Sequence, residues 1–240
     1  MTTIAYARPM DRGVRIRADG VYLEGDWTVP INPRGAIILV HGAGGSRFSR
    51  RNRALARALY DQKYATLILD VLTRDEEVED SLTGVLRFDV GFAADRLTAA
   101  ARWVRTDIET LGLPVGYFAT GTSAGAALLS AAREPSLVSA IVCRGGRPDL
   151  AGIALNKITA PTLFIVGGED AETLACNRWA YWRMDCERHL EIIRGAQNTF
   201  DDSADFARAT SLTTEWFDVH LASRFANWSS TWSSSWSFRR

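Results

Sequence analysis

Apolar residues along the chain gather in short runs, separated by longer segments of mixed character. Runs of this length predict strands buried in a sheet, here at 36–40, 65–69, 115–120, 138–142, 162–166 and 190–193. The segments between them predict helices over 51–63, 93–108, 126–132, 172–186 and 205–221. In the second of these helices, apolar residues recur every three or four positions, which is the spacing of one helix face.

This alternation of strand and helix predicts an α/β fold with a mostly parallel central sheet of about eight strands and helices on both faces. An entry hairpin over 14–18 and 21–27, turned at Asp19-Gly20, precedes the alternating part. The connections are too short for a large lid. We therefore expect one domain over 1–226, followed by a low-complexity Ser/Trp tail over 227–240 that is either a disordered appendage or an added sequence.

The composition limits the classes of partner that this domain is expected to bind. Lys and Arg number 28, as do Asp and Glu, so the formal net charge is zero and argues against non-specific attraction to nucleic acid or membranes. No signal peptide or membrane-spanning run is evident, and three cysteines suggest no disulfide framework, which together predict a cytoplasmic protein. We predict no cofactor and no metal. Whether the chain forms a homodimer is left open.

The segment Gly121-Thr122-Ser123-Ala124-Gly125 follows a predicted strand and opens a predicted helix. G-x-S-x-G in this setting is the nucleophile elbow, a sharp turn that exposes a serine hydroxyl and admits only small neighbours. It predicts Ser123 as the nucleophile and the backbone N–H of Ala124 as an oxyanion donor. The competing interpretation is a glycine-rich turn with an idle serine.

A second glycine-rich loop, over 41–46, follows the strand at 36–40. Sites in parallel sheets lie at the carboxyl ends of the strands, so this loop can aim a backbone N–H at a developing oxyanion. We predict Ala43 as that donor. His41 is expected to be structural, hydrogen-bonded within its own loop.

The acid and the base of a triad should follow later strands, in the order nucleophile, acid, histidine. Asp170 comes after the strand at 162–166 and is the better candidate for the acid, with Glu169 second, although Asp170 also stands where a helix N-cap belongs. The position expected to carry histidine holds Asn198, which cannot accept a proton near neutral pH. Neither His189 nor His220 is well placed to replace it.

Arginines crowd two of these strand ends. Arg47 and Arg51 are candidates to hold a carboxylate or phosphate of a substrate. The alternative is a solvated helix face paired with the acidic run 75–80. Arg144 and Arg147 are expected to brace their loop, for example against Asp149.

Four stretches, 41–52, 83–89, 144–151 and 160–168, resemble the dienelactone-hydrolase-like group of α/β-hydrolases, in particular small hydrolases related to phosphoribosyltransferase-associated hydrolase domains. The resemblance covers nearly all of 14–222. It implies a lidless fold that hydrolyses small carboxylic esters or lactones with a Ser-Asp-His triad. Ser123 and Asp170 match its nucleophile and acid, and Asn198 stands where it has histidine.

The match at the elbow needs a two-residue gap at Ala119 and Thr120. Without the gap, the serine of the group falls on Gly121. We prefer the gapped register because it keeps the whole pentapeptide.

Three interpretations remain open. The chain is a serine hydrolase acting through Ser123, a non-hydrolytic relative that binds a small molecule or catalyses another reaction, or a hydrolase inactivated by a His-to-Asn change at position 198.

Overall fold

The computed structural model describes residues 12–42 and 45–221. Eight strands form one sheet in the order β1-β2-β4-β3-β5-β6-β7-β8. They are β1 (Arg12–Ala18), β2 (Val21–Thr28), β3 (Gly35–Val40), β4 (Tyr64–Leu69), β5 (Val115–Gly121), β6 (Ala140–Gly146), β7 (Thr162–Gly167) and β8 (Arg188–Ile193). β2 is antiparallel to both of its neighbours, and from β4 to β8 every pairing is parallel. The predicted α/β fold is confirmed.

The described residues form six α-helices: α1 (Arg50–Asp61), α2 (Arg74–Thr83), α3 (Val90–Thr106), α4 (Ser123–Arg133), α5 (Ala171–Arg183) and α6 (Ser203–His220). α3, α4 and α5 pack on one face through a core that contains Leu97, Leu128 and Ala180. α1 and α6 pack on the other face through a core that contains Leu55, Leu59 and Phe217. Every residue of β3, β4 and β7 is buried, as the continuous apolar runs predict.

Three elements were not predicted from the sequence. The acidic run 75–80 is part of α2, and 3₁₀ turns occupy Leu86–Phe88 and Pro148–Lys157. α2 begins with a capping box, in which the Thr73 side chain accepts from the Glu76 N–H and the Glu76 carboxylate accepts from the Thr73 N–H. It ends at Gly84, whose φ of 68° is the left-handed conformation that closes many helices.

No helix in the described part of the chain has the length and apolar character needed to cross a membrane. The predicted oxyanion donor Ala43 and the predicted tail over 227–240 lie outside the described residues.

Candidate functional site

The turn from β5 into α4 is built around Gly121. Gly121 is the last residue of β5, its φ is 59°, and the pairing of β5 with β6 shifts register between Thr120 and Gly121. Glycine adopts this left-handed conformation without the steric cost that a side chain brings. In a nucleophile elbow, the nucleophile itself occupies the strained residue of the strand-to-helix turn. Here Gly121 has that conformation, and Ser123 lies two residues further on, as the first residue of α4.

Backbones approach one another closely around this turn. A Cβ atom added to Gly42 would lie 2.9 Å from the Cα of Gly121, and one added to Gly146 would lie 2.6 Å from the Cβ of Ala124. Only glycine fits at Gly42 and Gly146 without a backbone shift. The loop after β3 and the end of β6 are thereby held against the turn, as the elbow motif predicts.

The first turn of α4 supplies free backbone donors to this region, since the first N–H groups of a helix have no intrahelical acceptor. The Ala124 N–H, predicted as an oxyanion donor, belongs to this turn, and Ala124 is fully buried. If position 121 is the nucleophile position, the oxyanion donor is the backbone N–H of the next residue, Thr122. Thr122 lines the neighbouring cavity. Sequence reasoning in the gapped register did not point to Thr122.

Ser123 is buried, with 5% of its surface exposed, and its hydroxyl donates to the backbone carbonyl of His41 at 2.7 Å. An activated nucleophile donates instead to a group that can take its proton. A carbonyl oxygen cannot do so near neutral pH, and this hydrogen bond ties the end of β3 to the start of α4. The role of Ser123 as nucleophile stays a prediction.

Asp170 lies in the turn between β7 and α5 and caps α5, where its carboxylate accepts from the N–H and the hydroxyl of Thr173, each at 2.9 Å. The pKa of Asp170 is lowered, first by the Thr173 N–H and then by the Asn198 side chain beside it. Asn198 in turn accepts from the Gly167 N–H at 2.8 Å through Oδ1. The predicted acid and the residue at the predicted histidine position are therefore neighbours.

Among the described residues, no histidine takes the place of the one expected at Asn198. The Asn198 amide can donate and accept hydrogen bonds, but it cannot take a proton near neutral pH. His189 lies on β8 and is close to Glu191, and His220 ends α6 with its ring against Trp216. Neither histidine is part of the arrangement formed by Asp170 and Asn198.

His41 belongs to a different hydrogen-bond network. Its Nε2 atom lies 2.9 Å from Asp70 Oδ1, and the Arg47 backbone N–H donates to the same oxygen at 3.0 Å. Burial alone would raise the pKa of Asp70, but the hydrogen bonds from His41 and Arg47 outweigh burial and lower it. The network holds His41 and Arg47, on either side of the glycine-rich loop, to the end of β4, in keeping with a structural role for His41.

The two predicted substrate arginines are occupied by carboxylates of the chain itself. The Arg47 guanidinium pairs with Asp70 and Glu24, and the Arg51 guanidinium pairs with Asp201. Substrate binding by either arginine stays a prediction, and it would require these ion pairs to open.

The alternative paired these arginines with the acidic run 75–80. Their ion pairs are instead with Glu24, Asp70 and Asp201, although the charge of Arg47 also acts on Glu77 of that run. Within that run, Glu76 pairs with Arg96 and Asp80 with Arg87, because α2 directs these carboxylates towards α3 and the following 3₁₀ turn. Arg147 pairs with Asp149 as expected.

A cavity of about 290 Å³ lies between the carboxyl edge of the sheet and α2. His41, Thr122 and Ser123 line its inner side, and its outer wall comes from α2, the 3₁₀ turn after it and the start of α3. Asn198 is not among its lining residues. Sequence reasoning missed this wall, although the capping pattern of Thr73 with Glu76 and the stop at Gly84 could have revealed α2.

Metal ligation has no counterpart in the described ranges, where no three or more His, Cys, Asp or Glu side chains are grouped to hold an ion. The polar groups of the cavity are hydroxyls, carboxylates, the His41 imidazole, the Arg87 guanidinium and backbone groups. Such a lining suits a small organic ligand held by hydrogen bonds.

Comparison with known proteins extends this picture. A dienelactone hydrolase structure from Anabaena variabilis is 40% identical, with a TM-score of 0.86, over 90% of this chain and 100% of that one. Proteins of two Mycobacterium tuberculosis strains, both named "Putative phosphoribosyl transferase", are 41% identical over 211 residues. The chain covers 88% of its own length in that match, but it spans only 47% of those curated relatives.

A more distant structure shares the fold. It is a dienelactone hydrolase-like promiscuous phosphotriesterase from metagenomic libraries, with a TM-score of 0.74 at 18% identity, over 90% of this chain and all of that one. No protein-family model matches the chain.

Proposed function

The chain belongs to the dienelactone-hydrolase family of α/β-hydrolases, and from this premise we propose that its cavity binds a small carboxylic ester or lactone that the chain hydrolyses only slowly. The relatives support a hydrolase as the general class. The observation that carries the proposal is that Gly121 is the residue with the left-handed conformation in the strand-to-helix turn. A nucleophile is expected at that residue, and glycine has no side chain to supply one.

Two losses reinforce each other in this account. Without a nucleophile at Gly121, no acyl-enzyme forms at the turn. Without a base at Asn198, a hydroxyl elsewhere or a water molecule is not activated. Removing members of a catalytic triad lowers turnover by roughly 10⁴ to 10⁶, and what remains comes from the oxyanion donors and from binding.

The family's binding geometry is retained in this proposal. The glycine contacts around Gly42, Gly121 and Gly146 keep the loops packed on the turn, and the cavity lies beside them. A ligand carbonyl oxygen would lie against the N–H groups at the start of α4, with the loop that contains Ala43 as the second side of the oxyanion hole. In this proposal the chain therefore still binds the ligand although it no longer hydrolyses it fast.

A second candidate keeps Ser123 as the nucleophile of a serine esterase, with Asp170 as the acid and Ala43 and Ala124 as oxyanion donors. It is favoured by one observation, that Ser123 lines the cavity. It requires the Ser123 hydroxyl to leave the His41 carbonyl and to find a base. If Asn198 stands in place of an original histidine, restoring the histidine supplies that base.

Hydrolysis of an activated aryl ester, such as p-nitrophenyl acetate, separates the two candidates. The variants are Asn198→His, Gly121→Ser and their combination, each made with Ser123 and with Ser123→Ala. We expect Asn198→His alone to change little. The combination should raise turnover about a hundredfold or more, the lower range of general-base effects, whether or not Ser123 is present.

Gly121→Ala is the matched control for the backbone. A Cβ atom at position 121 would lie 3.0 Å from the Gly42 Cα in a left-handed conformation, so Gly121→Ser carries strain that Gly121→Ala reproduces without a hydroxyl. If Asn198→His alone restores turnover and Ser123→Ala removes it, the second candidate is correct. Fast turnover by the unmodified chain would contradict the proposal.

Binding is tested separately by calorimetry with phenyl acetate. Ala93 lines the cavity wall on α3, and Ala93→Phe should fill the space and abolish binding. Binding that survives Ala93→Phe unchanged would place the ligand elsewhere.

A further inference from the structure

Arg144 is a buried cation at the carboxyl end of β6, with 7% of its surface exposed. Arg96 is buried still more deeply, and its guanidinium is paired with the Glu76 carboxylate. Among the described residues, no carboxylate and no hydrogen-bond acceptor is paired with Arg144. A buried charge without a partner is unfavourable, so this residue calls for an explanation.

Three aromatic rings surround the Arg144 guanidinium. Its central carbon lies 5.2 Å from the ring centre of Phe118, 5.6 Å from that of Phe200 and 5.4 Å from that of Phe206. Ring faces attract a cation, although phenylalanine does so less well than tryptophan. The rings leave the in-plane N–H donors of the guanidinium unused, and a planar fork of donors matches a carboxylate or phosphate.

The electrostatics near Arg144 also favour an anion. Burial is the main cause that lowers the pKa of Arg144 to about 10, and the positive charge of Arg51 lowers it further. The Arg51 guanidinium has a carboxylate partner in Asp201, whereas Arg144 has none among the described residues. An anion held there would relieve both effects.

The Arg144 donors remain accessible. Some arginine nitrogen atoms of the described chain are fully buried without a hydrogen-bond partner, on Arg96 and Arg188. None of these atoms belongs to Arg144. Each Arg144 nitrogen therefore keeps some contact with solvent space although the side chain as a whole is buried.

We propose that Arg144, walled by Phe118, Phe200 and Phe206, forms a binding site for a small oxyanion, a carboxylate or a phosphate group. The site lies outside the 290 Å³ cavity, whose lining does not include Arg144. It does not depend on the proposed function. Its neighbour along β6 is Gly145, which contacts the Asn198 segment, so an anion at Arg144 would stabilise the loop that holds Asn198 and Phe200.

Titration calorimetry of the unmodified chain with sodium phosphate and with sodium acetate, at constant ionic strength, tests the site directly. We expect saturable binding of at least one of them, and the one that binds identifies the source as phosphate or carboxylate. Thermal unfolding at ten times the dissociation constant should show a rise in Tm of about 3 to 6 °C. Absence of saturable binding for both anions would overturn the proposal.

Arg144→Met should abolish both the binding and the anion-dependent rise in Tm. Arg183→Met is the matched control, because Arg183 also contacts an aromatic ring, that of Trp179, but lies on α5 away from Arg144. Equal anion effects in Arg144→Met and in the unmodified chain would show a general salt effect and overturn the proposal. If Arg144→Met does not fold, Arg144→Lys keeps the charge without the fork, and it should weaken binding at least tenfold.

Discussion

The ion pair between Glu76 and Arg96 fastens α2, the outer wall of the cavity, to α3. Both Arg96 terminal nitrogens lie 2.6 Å from Glu76 oxygens, and Arg96 is 1% exposed. The hydrogen bonds from Arg96 are the largest of the effects that lower the pKa of Glu76 from 4.5 to about 2. A tenfold change in an ionisation equilibrium corresponds to about 1.4 kcal/mol, so the lowered pKa represents about 3 kcal/mol of folding free energy at neutral pH.

Glu76→Gln removes the charge but keeps the capping box, since glutamine can also accept from the Thr73 N–H. We expect the free energy of unfolding to fall by about 3 kcal/mol at pH 7, and Tm by about 6 to 12 °C. Urea unfolding at several pH values provides the measurement. Glu79→Gln, the same change at an exposed position of α2, is the control and should cost less than about 0.5 kcal/mol.

The pH dependence has a definite sign. Because the folded-state pKa of Glu76 lies below the unfolded value, its stabilisation is fully present above about pH 4.5 and is lost as the pH falls through about 2. The difference between the unmodified chain and Glu76→Gln should therefore shrink between pH 4.5 and 2. A difference below about 1 kcal/mol at pH 7, or one that does not change over this range, would refute the reasoning.

Two further predictions concern the turn and the tail. Gly146→Ala places a Cβ atom 2.6 Å from Ala124 Cβ and 2.8 Å from the Gly121 carbonyl oxygen, so thermal unfolding should show a loss of about 1 to 3 kcal/mol. Gly13→Ala, where an added Cβ atom meets nothing within 4 Å, is its control, and equal losses in both would contradict the packing argument. Truncation after Ala226 removes a tail that lies outside the described residues, and it should shift Tm by less than about 2 °C. A larger loss, or conversion of a dimer to a monomer, would show that the tail packs on the domain or on a second subunit.

Sequence alone predicted the sheet well, because strands buried on both faces must be apolar throughout. β3 and β7 coincide with the runs 36–40 and 162–166 to within one residue. α2 was missed because its surface is polar nearly all round, with Asp80 as its one buried residue. A charged run of this kind is read as solvated surface unless its capping residues are noticed.

The register of the elbow could not be fixed from sequence. Gly121 and Ser123 are two residues apart in a run of small residues, and both registers satisfy the need for small neighbours. Only the backbone conformation distinguishes them, because the left-handed residue is Gly121. The sequence also did not predict ion pairs between residues far apart along the chain, such as Arg47 with Asp70 and Arg51 with Asp201. Such pairs depend on which loops meet at the sheet edge.

Covalent labelling tests the central claim, that Gly121 has taken the place of the nucleophile, most directly. The unmodified chain, Asn198→His and the Gly121→Ser, Asn198→His combination are each incubated with an alkyl fluorophosphonate, and the adduct is located by mass spectrometry of the intact chain and of its peptides. The account predicts no adduct on the first two and a single adduct at position 121 of the third. An adduct on Ser123 of the unmodified chain would contradict it.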